Sequence, residues 1–368
     1  MRIAQIAPLY EAVPPALYGG TERIVAYLSD ALVELGHDVT LFASADSRTA
    51  AHLIAVREKA IRLDGCALKS DLAAHLSMLH EVRRRADEFD VLHFHTDLLH
   101  FPLFEDHAAH TLTTVHGRLD IKDLEEVYHR WPQYPLVSIS DAQRTPLRQA
   151  NWLATVPHGL PDNLLQYSPK PGRYLAFLGR IAPEKRPDRA VRIAQTAGMP
   201  LRIAAKIDAL DRAYFEAEIE PLLSTPGVQF IGEINEQQKA TFLANAAALL
   251  LPIDWPEPFG LVIIEAMACG TPVIAWAHGS VPELIDHGQT GFIVSSETEA
   301  ASAVARLAEI DRHQVRRTFE QRFGATTMAR NYRELYGCLA NRGARSQSLR
   351  PFALLSANGA NAANASKA

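Results

Sequence analysis

The feature that most constrains this chain is a regular alternation of short apolar runs with segments of helical period. Ile3–Leu9 is an apolar run, followed by a loop that ends in Gly19 and Gly20. Ile24, Leu28, Ala31, Leu32 and Leu35 then recur at helical spacing, with Thr21 as N-cap and Gly36 as stop, before the next run at Val39–Ala43. Further strands are expected at Val91–Phe94, Thr111–Val115, Leu136–Ile139 and Ala154–Val156. A Pro- and Gly-containing stretch, Asn163–Arg173, interrupts the pattern, which then restarts. The second series predicts strands at Tyr174–Leu178, Leu201–Ala205, Val228–Ile231, Ala248–Leu251, Pro272–Ala275 and Gly291–Val294. Its helices fall near Pro187–Ala197, Arg212–Leu223, Glu236–Ala246, Gly260–Ala268 and Glu297–Glu309.

Such alternation implies mostly parallel sheets covered on both faces, and 368 residues suffice for two of them. The expectation is an α/β chain of two doubly wound domains, 1–165 and 166–325, with a cleft between the carboxyl ends of their sheets. A last helix near Thr327–Cys338 (326–342 at most) is expected to pack back on the first domain. The segment 343–368, rich in Ser, Ala and Asn, reads as a disordered tail.

A formal charge of −5 and a pI near 6.3 offer no broad basic surface for duplex nucleic acid. Cys66, Cys269 and Cys338 lie far apart, suggesting neither a disulfide framework nor a zinc knuckle. The start of the chain is interrupted by Gln5, Pro8 and Glu11, unlike the apolar stretch of a signal peptide. The longest apolar candidate, Phe259–Ala277, carries Glu265 and Pro272, which argues against a spanning helix. A soluble, cytoplasmic protein is expected.

The most informative stretch is Asp254–Trp276. Pro256 and Pro258 bracket Glu257 and hold it in extended backbone, because the residue before a proline avoids the helical region. Gly260, Leu261 and Val262 would then present backbone N–H groups at the first turn of a helix, a ready site for phosphate. Glu265 follows on the same helix, placed for a neutral hydroxyl pair such as a ribose. On one straight helix Glu257 and Glu265 would stand roughly 12 Å apart, beyond the about 5–9.5 Å of paired glycosidase carboxylates. From pattern alone, a buried turn with one carboxylate favouring the helix dipole remains an alternative.

Glu257-Pro-Phe-Gly-Leu, Glu265 eight residues on, and the run Ala266–Ala275 resemble the donor-site signature of the family 4 retaining glycosyltransferases. The resemblance implies the GT-B architecture, two facing Rossmann-like domains with the active site between them. It also implies that Glu265 hydrogen-bonds ribose hydroxyls and that Glu257 contacts hydroxyls of the transferred sugar. The amides of Phe259, Gly260, Leu261 and Val262 would lie near sugar and phosphate. Arg180 and Lys185, in Phe177–Asp188, match the family's pair of cations over the donor diphosphate. Gly19 and Gly20 match a loop that closes over that diphosphate from the first domain, and His116, at a strand's carboxyl end, a histidine beside the donor sugar. Phe230–Gln238, with Gly232 at its turn, resembles the loop that meets the nucleotide base.

The reaction so implied moves a hexose from a nucleoside-diphosphate sugar, a UDP-sugar foremost, to an acceptor hydroxyl with retention. The acceptor would be a saccharide, a lipid-linked molecule or a small molecule. No metal or cofactor is expected: the chain has no Asp-x-Asp, and the six histidines from His93 to His116 lack carboxylates or cysteines at zinc spacing. Basic residues at Arg57, Lys59, Arg62 and Arg83–Arg85 suggest either a solvated face or weak peripheral membrane contact. The competing readings are a sugar-nucleotide epimerase of the same architecture and a non-catalytic sugar-nucleotide-binding subunit.

Overall fold

The computed structural model describes residues 1–17 and 19–348. Tyr18 and the residues beyond Ser348 lie outside the described residues; of the expected disordered tail 343–368, residues 343–348 are instead the end of a helix. The strands form two wholly parallel sheets. The first contains β1 (Arg2–Ile6), β2 (Asp38–Ser44), β3 (His52–Arg57), β4 (Val91–Phe94), β5 (Thr111–Thr114), β6 (Leu136–Ser138) and β7 (Trp152–Thr155), ordered 3-2-1-4-5-6-7. The second contains β8 (Leu175–Arg180), β9 (Leu201–Lys206), β10 (Val228–Gly232), β11 (Ala248–Leu251), β12 (Val273–Trp276) and β13 (Gly291–Val294), ordered 10-9-8-11-12-13. Strand order reverses beside β1 in one sheet and beside β8 in the other. Ile3 pairs with both Val39 and Val91, and Leu249 with Val273. Ligands in open α/β sheets bind outside the carboxyl ends of strands at such switch points.

Helices α1 (Gly20–Glu34), α2 (Asp71–Arg84) and α3 (Leu124–Arg130) accompany the first sheet. The second has α4 (Pro187–Ala197), the turn α5 (Arg212–Tyr214), α6 (Glu236–Ala244), α7 (Leu261–Ala268), α8 (Val281–Leu284), α9 (Glu297–Ala305) and α10 (Arg312–Arg322). Finally α11 (Ala325–Ser348) returns to the first half and packs on α1. Helix α1 forms because its apolar residues lie on one stripe: Ile24, Leu28, Ala31 and Leu32 are all buried. Strand β11 is buried along its whole length, as a central parallel strand covered on both faces must be.

The structure differs from the sequence reading at several places. Helix α1 begins at Gly20 with Gly19, not Thr21, at its N-cap, because the helical backbone starts before the first side chain able to cap it. Strand β3 is a half-exposed edge whose residues form no continuous apolar run. Helix α10 has a polar sequence that buries only Arg312, Val315, Thr318 and Phe319, too sparse a stripe to read. The helix expected over Arg212–Leu223 is instead α5, a π-helical turn Phe215–Ile219 and a 3-10 turn Glu220–Ser224. Pro221 lacks an N–H and cannot continue a regular α ladder.

Candidate active site

The switch points of the two sheets face one another across a cavity of about 700 Å³, with a smaller one of about 180 Å³ beside it. Gly19, Gly20 and Leu261 line both. His116, Glu257, Phe259 and Gly260 line the larger, and Val262 and Glu265 the smaller. The start of α7 therefore forms the wall between them. Gly260, the N-cap of α7, has φ +87°, a left-handed conformation that favours glycine. Gly232 turns the chain at the end of β10 with φ +74° and leads to Glu233 on the wall of the smaller cavity.

Glu257 lies before the helix, in extended backbone between its two prolines. Its Oε2 accepts from Lys185 Nζ at 2.5 Å and from Trp255 Nε1 at 3.0 Å. The loop is pinned from behind: Ser280 N donates to Glu257 O at 2.9 Å and Ser280 Oγ to Phe259 O at 2.6 Å. Lys185 Nζ also stands 4.3 Å from the Trp255 ring centroid, while the Arg118 guanidinium, from the first half, lies 5.3 Å from the same centroid.

Glu265 is buried on α7 and accepts from Lys239 Nζ at 2.6 Å. Lys239, on α6, also contacts Glu236, whose carboxylate pairs with Arg23 on α1. Arg23, Glu236, Lys239 and Glu265 thus form an ionic chain of alternating sign that crosses between the halves. Burial pulls the Lys239 ammonium below its usual range, with the Glu265 charge opposing that shift. Arg180 and Lys185 engage different carboxylates, Lys185 that of Glu257 and Arg180 three others. The Arg180 guanidinium meets Glu184 at 2.6 Å and Asp208 and Asp211 at 3.6 Å, and neither Arg180 nor Lys185 forms part of the cavity walls.

Among the described residues no group of three or more His, Cys, Asp or Glu is placed to hold a metal ion. The histidines instead form a hydrogen-bonded series: His116 Nε2 meets His95 Nδ1 at 2.9 Å, and His95 Nε2 meets Gln5 Oε1 at 2.8 Å. Burial holds the His116 imidazole down at about 3 and His93, His95 and His158 well below the usual range, so all four are neutral.

The sequence reading missed three groups at this site. His158 stacks on His116 at 5.1 Å and meets Phe259 edge-on at 4.8 Å. Its signal was present, since His158-Gly159 follows β7 much as His116-Gly117 follows β5. Asp97, after β4, adopts φ +50° and lines the larger cavity, where its side chain is exposed to solvent although protein surrounds it closely; that crowding raises its carboxyl to about 6. Lys239 lies on a helix of ordinary polar composition and carried no signal. Beyond the site, Arg57 pairs with Asp64, Arg62 with Glu11, Arg83 with Asp106 and Arg85 with Glu81. No helix among the described residues is long and apolar enough to cross a membrane.

Two family models match: "Glycosyltransferase Family 4" over residues 18–180 and "Glycosyl transferases group 1" over residues 166–323. Among curated proteins the chain is similar to D-inositol 3-phosphate glycosyltransferases of Mycobacterium bovis and Mycobacterium tuberculosis. Identity is 38% over 132 residues, covering 33% of this chain and 26% of theirs, so it spans about a quarter of these relatives. Among solved structures it resembles AviGT4, a glycosyltransferase involved in avilamycin A biosynthesis, with 23% identity, a TM-score of 0.68 and coverage of 92% and 98%. The sucrose-phosphate synthase of Thermosynechococcus elongatus gives 20% identity, a TM-score of 0.72 and the same coverage. HepE of Anabaena, solved with UDP and glucose, gives 18%, 0.70, and coverage of 92% and 99%. Together the two family models span residues 18–323, and the chain belongs to the family 4, group 1 glycosyltransferases and has their GT-B fold.

Proposed function

We propose that the protein transfers a hexose from a nucleoside-diphosphate sugar, with a UDP-sugar as donor, to an acceptor hydroxyl with retention and without a metal ion. The observation that carries this reading is the pair of adjoining cavities divided by the first turn of α7. The smaller would take the nucleoside, with the Glu265 carboxylate accepting from the ribose hydroxyls. The larger would take the hexose, and the N-terminus of α7 between them would meet the diphosphate. HepE, which shares the fold, was solved with UDP and glucose.

Glu257 would orient the sugar. Lys185 and Trp255 both engage its Oε2, which leaves Oε1 for a hydroxyl. No side chain is placed as a nucleophile by this reading, so substitution occurs on the face the leaving group departs from. The C1–O bond to the diphosphate breaks, a bond forms from C1 to the acceptor oxygen, and the acceptor proton passes to the departing phosphate oxygen. The chain supplies orientation and preorganised charge. Lys185 and the helix amides would meet the negative charge developing on the diphosphate, and Arg180 would have to exchange its carboxylate partners for phosphate to join them. Asp97, across the larger cavity, would accept from the acceptor hydroxyls.

The test is a transfer assay with UDP-, GDP- and ADP-sugars, preceded by thermal-shift screening of the same donors, since a ligand that binds the native state raises the melting temperature. Transfer from one donor, with an unchanged anomeric configuration by NMR and activity surviving EDTA, is expected. Donor conversion without any acceptor would favour an epimerase, binding without turnover a non-catalytic subunit, and inverted product would remove the retaining mechanism.

A further inference from the structure

The hydrogen bonds that leave His116 do not end in the cleft. They run through the first sheet to the last helix. Gln5 Nε2 donates to Tyr336 Oη at 3.1 Å, and Tyr336 Oη meets His93 Nδ1 at 2.7 Å. His93 Nε2 meets Thr114 Oγ1 at 2.8 Å, and Thr114 Oγ1 meets Tyr332 Oη at 2.8 Å. Gln5, His93, His95, Thr114, Tyr332 and Tyr336 are all essentially inaccessible to solvent. A buried polar series of this kind persists only when its members satisfy one another.

The order of donors along it can be derived. The Gln5 carbonyl only accepts, so His95 Nε2 carries a hydrogen and donates to it. His95 is neutral, so its Nδ1 is a lone pair and accepts from His116 Nε2–H. His116 is therefore the Nε2–H tautomer, with a bare Nδ1 that has no partner. At the other end, Tyr336 accepts from the Gln5 amide, so its own hydrogen goes to His93 Nδ1. His93 Nε2–H then donates to Thr114. The Gln5 amide decides the direction of the whole series, and Tyr336 holds that amide.

We propose that Tyr336 and Gln5 are positioning residues for the sugar subsite: acting through His95, they fix the tautomer and ring orientation of His116 on the cavity wall. Helix α11 thereby acts on a side chain of the cleft through buried polar groups of the first sheet. This rests on the reading of the larger cavity as the sugar site, and it accounts for the two buried hydroxyls that α11 brings to the first sheet.

Removing the Tyr336 hydroxyl leaves Gln5 Nε2 without an acceptor and His93 Nδ1 without a donor. The amide is then free to reverse, and a reversed amide would donate to His95 and place the His116 hydrogen on Nδ1. The experiment records two-bond ¹H–¹⁵N correlations of the histidine rings in the full-length protein, wild type and Tyr336→Phe, together with donor kinetics and nucleoside-diphosphate affinity. Wild-type His116 is expected as the Nε2–H tautomer, and the variant as a mixture. Hexose transfer by Tyr336→Phe should fall by about 2- to 10-fold, the scale of one lost hydrogen bond, with unchanged affinity for the free nucleoside diphosphate. Gln5→Met should match it, and the double variant should show no further loss. An Nδ1–H tautomer in wild-type His116 would overturn the proposal, as would a variant with unaltered tautomer and kinetics. The wild-type spectrum decides the matter even where the variants fold poorly. It needs no substrate, so a failure to find any glycosyl donor would refute the transferase reading separately.

Discussion

Gly279→Ala is the sharpest perturbation the site offers, because this glycine never touches the ligand cavities. It lies in the turn between β12 and α8 with φ +59°, pressed against the backbone of the Glu257 loop. A Cβ there would stand 2.2 Å from Glu257 O and 2.4 Å from Glu257 N, whereas real Cβ atoms essentially never approach within 3.0 Å. The Glu257 peptide must therefore retreat by about 0.8 Å, and the neighbouring Ser280 bonds to Glu257 and Phe259 stretch with it. The left-handed backbone adds about 1–2 kcal/mol for any L-residue. A misplacement of about 1 Å at a reacting geometry costs on the order of 10²-fold in rate. Expected, then, is a fall in transfer of about 10²-fold with a modest loss of melting temperature. Nucleoside-diphosphate affinity by calorimetry should stay within about 3-fold, because the Lys239–Glu265 pair sits on other elements and a factor of three is under 1 kcal/mol. Wild-type turnover in a folded Gly279→Ala protein would refute the claim that Glu257 is held in place from this side.

Lys185→Met and Glu257→Gln should each lower turnover by about 10²-fold, the scale of one preorganised charge contact, with both measured against the same donor. Lys239→Met leaves Glu265 buried without its cation and should cost about 3–5 kcal/mol in urea unfolding while weakening nucleoside-diphosphate binding. Asp97 tests pH dependence. Its carboxyl is raised to about 6 from an ordinary 3.8, so its contribution to stability is whole below about pH 3.8 and is lost as pH rises through about 6. Asp97→Asn should therefore be more stable than wild type above pH 6 and equal to it near pH 3.5. The whole change would correspond to about 3 kcal/mol, reduced to about 1 because Asp97 is exposed to solvent, and melting curves across that range would check it. Glu283 accepts from the backbone N–H groups of Asp141 and Ala142 across the interface at 2.8 and 2.7 Å. Glu283→Ala should loosen the closed arrangement, seen as a larger radius of gyration in solution scattering.

The parallel sheets were legible because strands buried on both faces must be written as continuous apolar runs, as in Leu249–Leu251 and Val273–Trp276. Edges escape that rule: β3 is half solvated and needs no such run. Glu257 and Glu265 were legible because prolines and glycine fix the backbone around them. Asp97, by contrast, is an ordinary residue whose significance comes from a left-handed backbone conformation and a recess built by distant segments. Lys239 and Arg23 meet Glu265 and Glu236 only once α6, α7 and α1 are packed together, and no local pattern encodes that. Arg180 shows the complementary limit. Its place at the end of β8 was readable, but its partners Asp208 and Asp211 arrive from the loop after β9.

The expected grip of two acids and two bases on one donor takes a different form in the structure. Glu257 pairs with Lys185, Glu265 with Lys239, and Arg180 with Glu184. The difference has a physical reason. A carboxylate crowded by protein with no cation near it becomes easier to protonate, as Asp97 does, and a protonated acid donates one hydrogen bond where the site needs two acceptors. A lysine on one oxygen fixes the orientation of the carboxylate and leaves its other lone pairs for hydroxyls. The pairs also bring the ligand-free cleft near neutrality, so the arriving diphosphate must exchange protein carboxylates for its own oxygens at Lys185 and Arg180. Such an exchange favours a ligand that brings hydroxyls and phosphate together: hydroxyls occupy the acids while phosphate takes the bases. A free sugar or free pyrophosphate would satisfy one half and strand the other, so each alone should bind far more weakly than the intact nucleotide sugar.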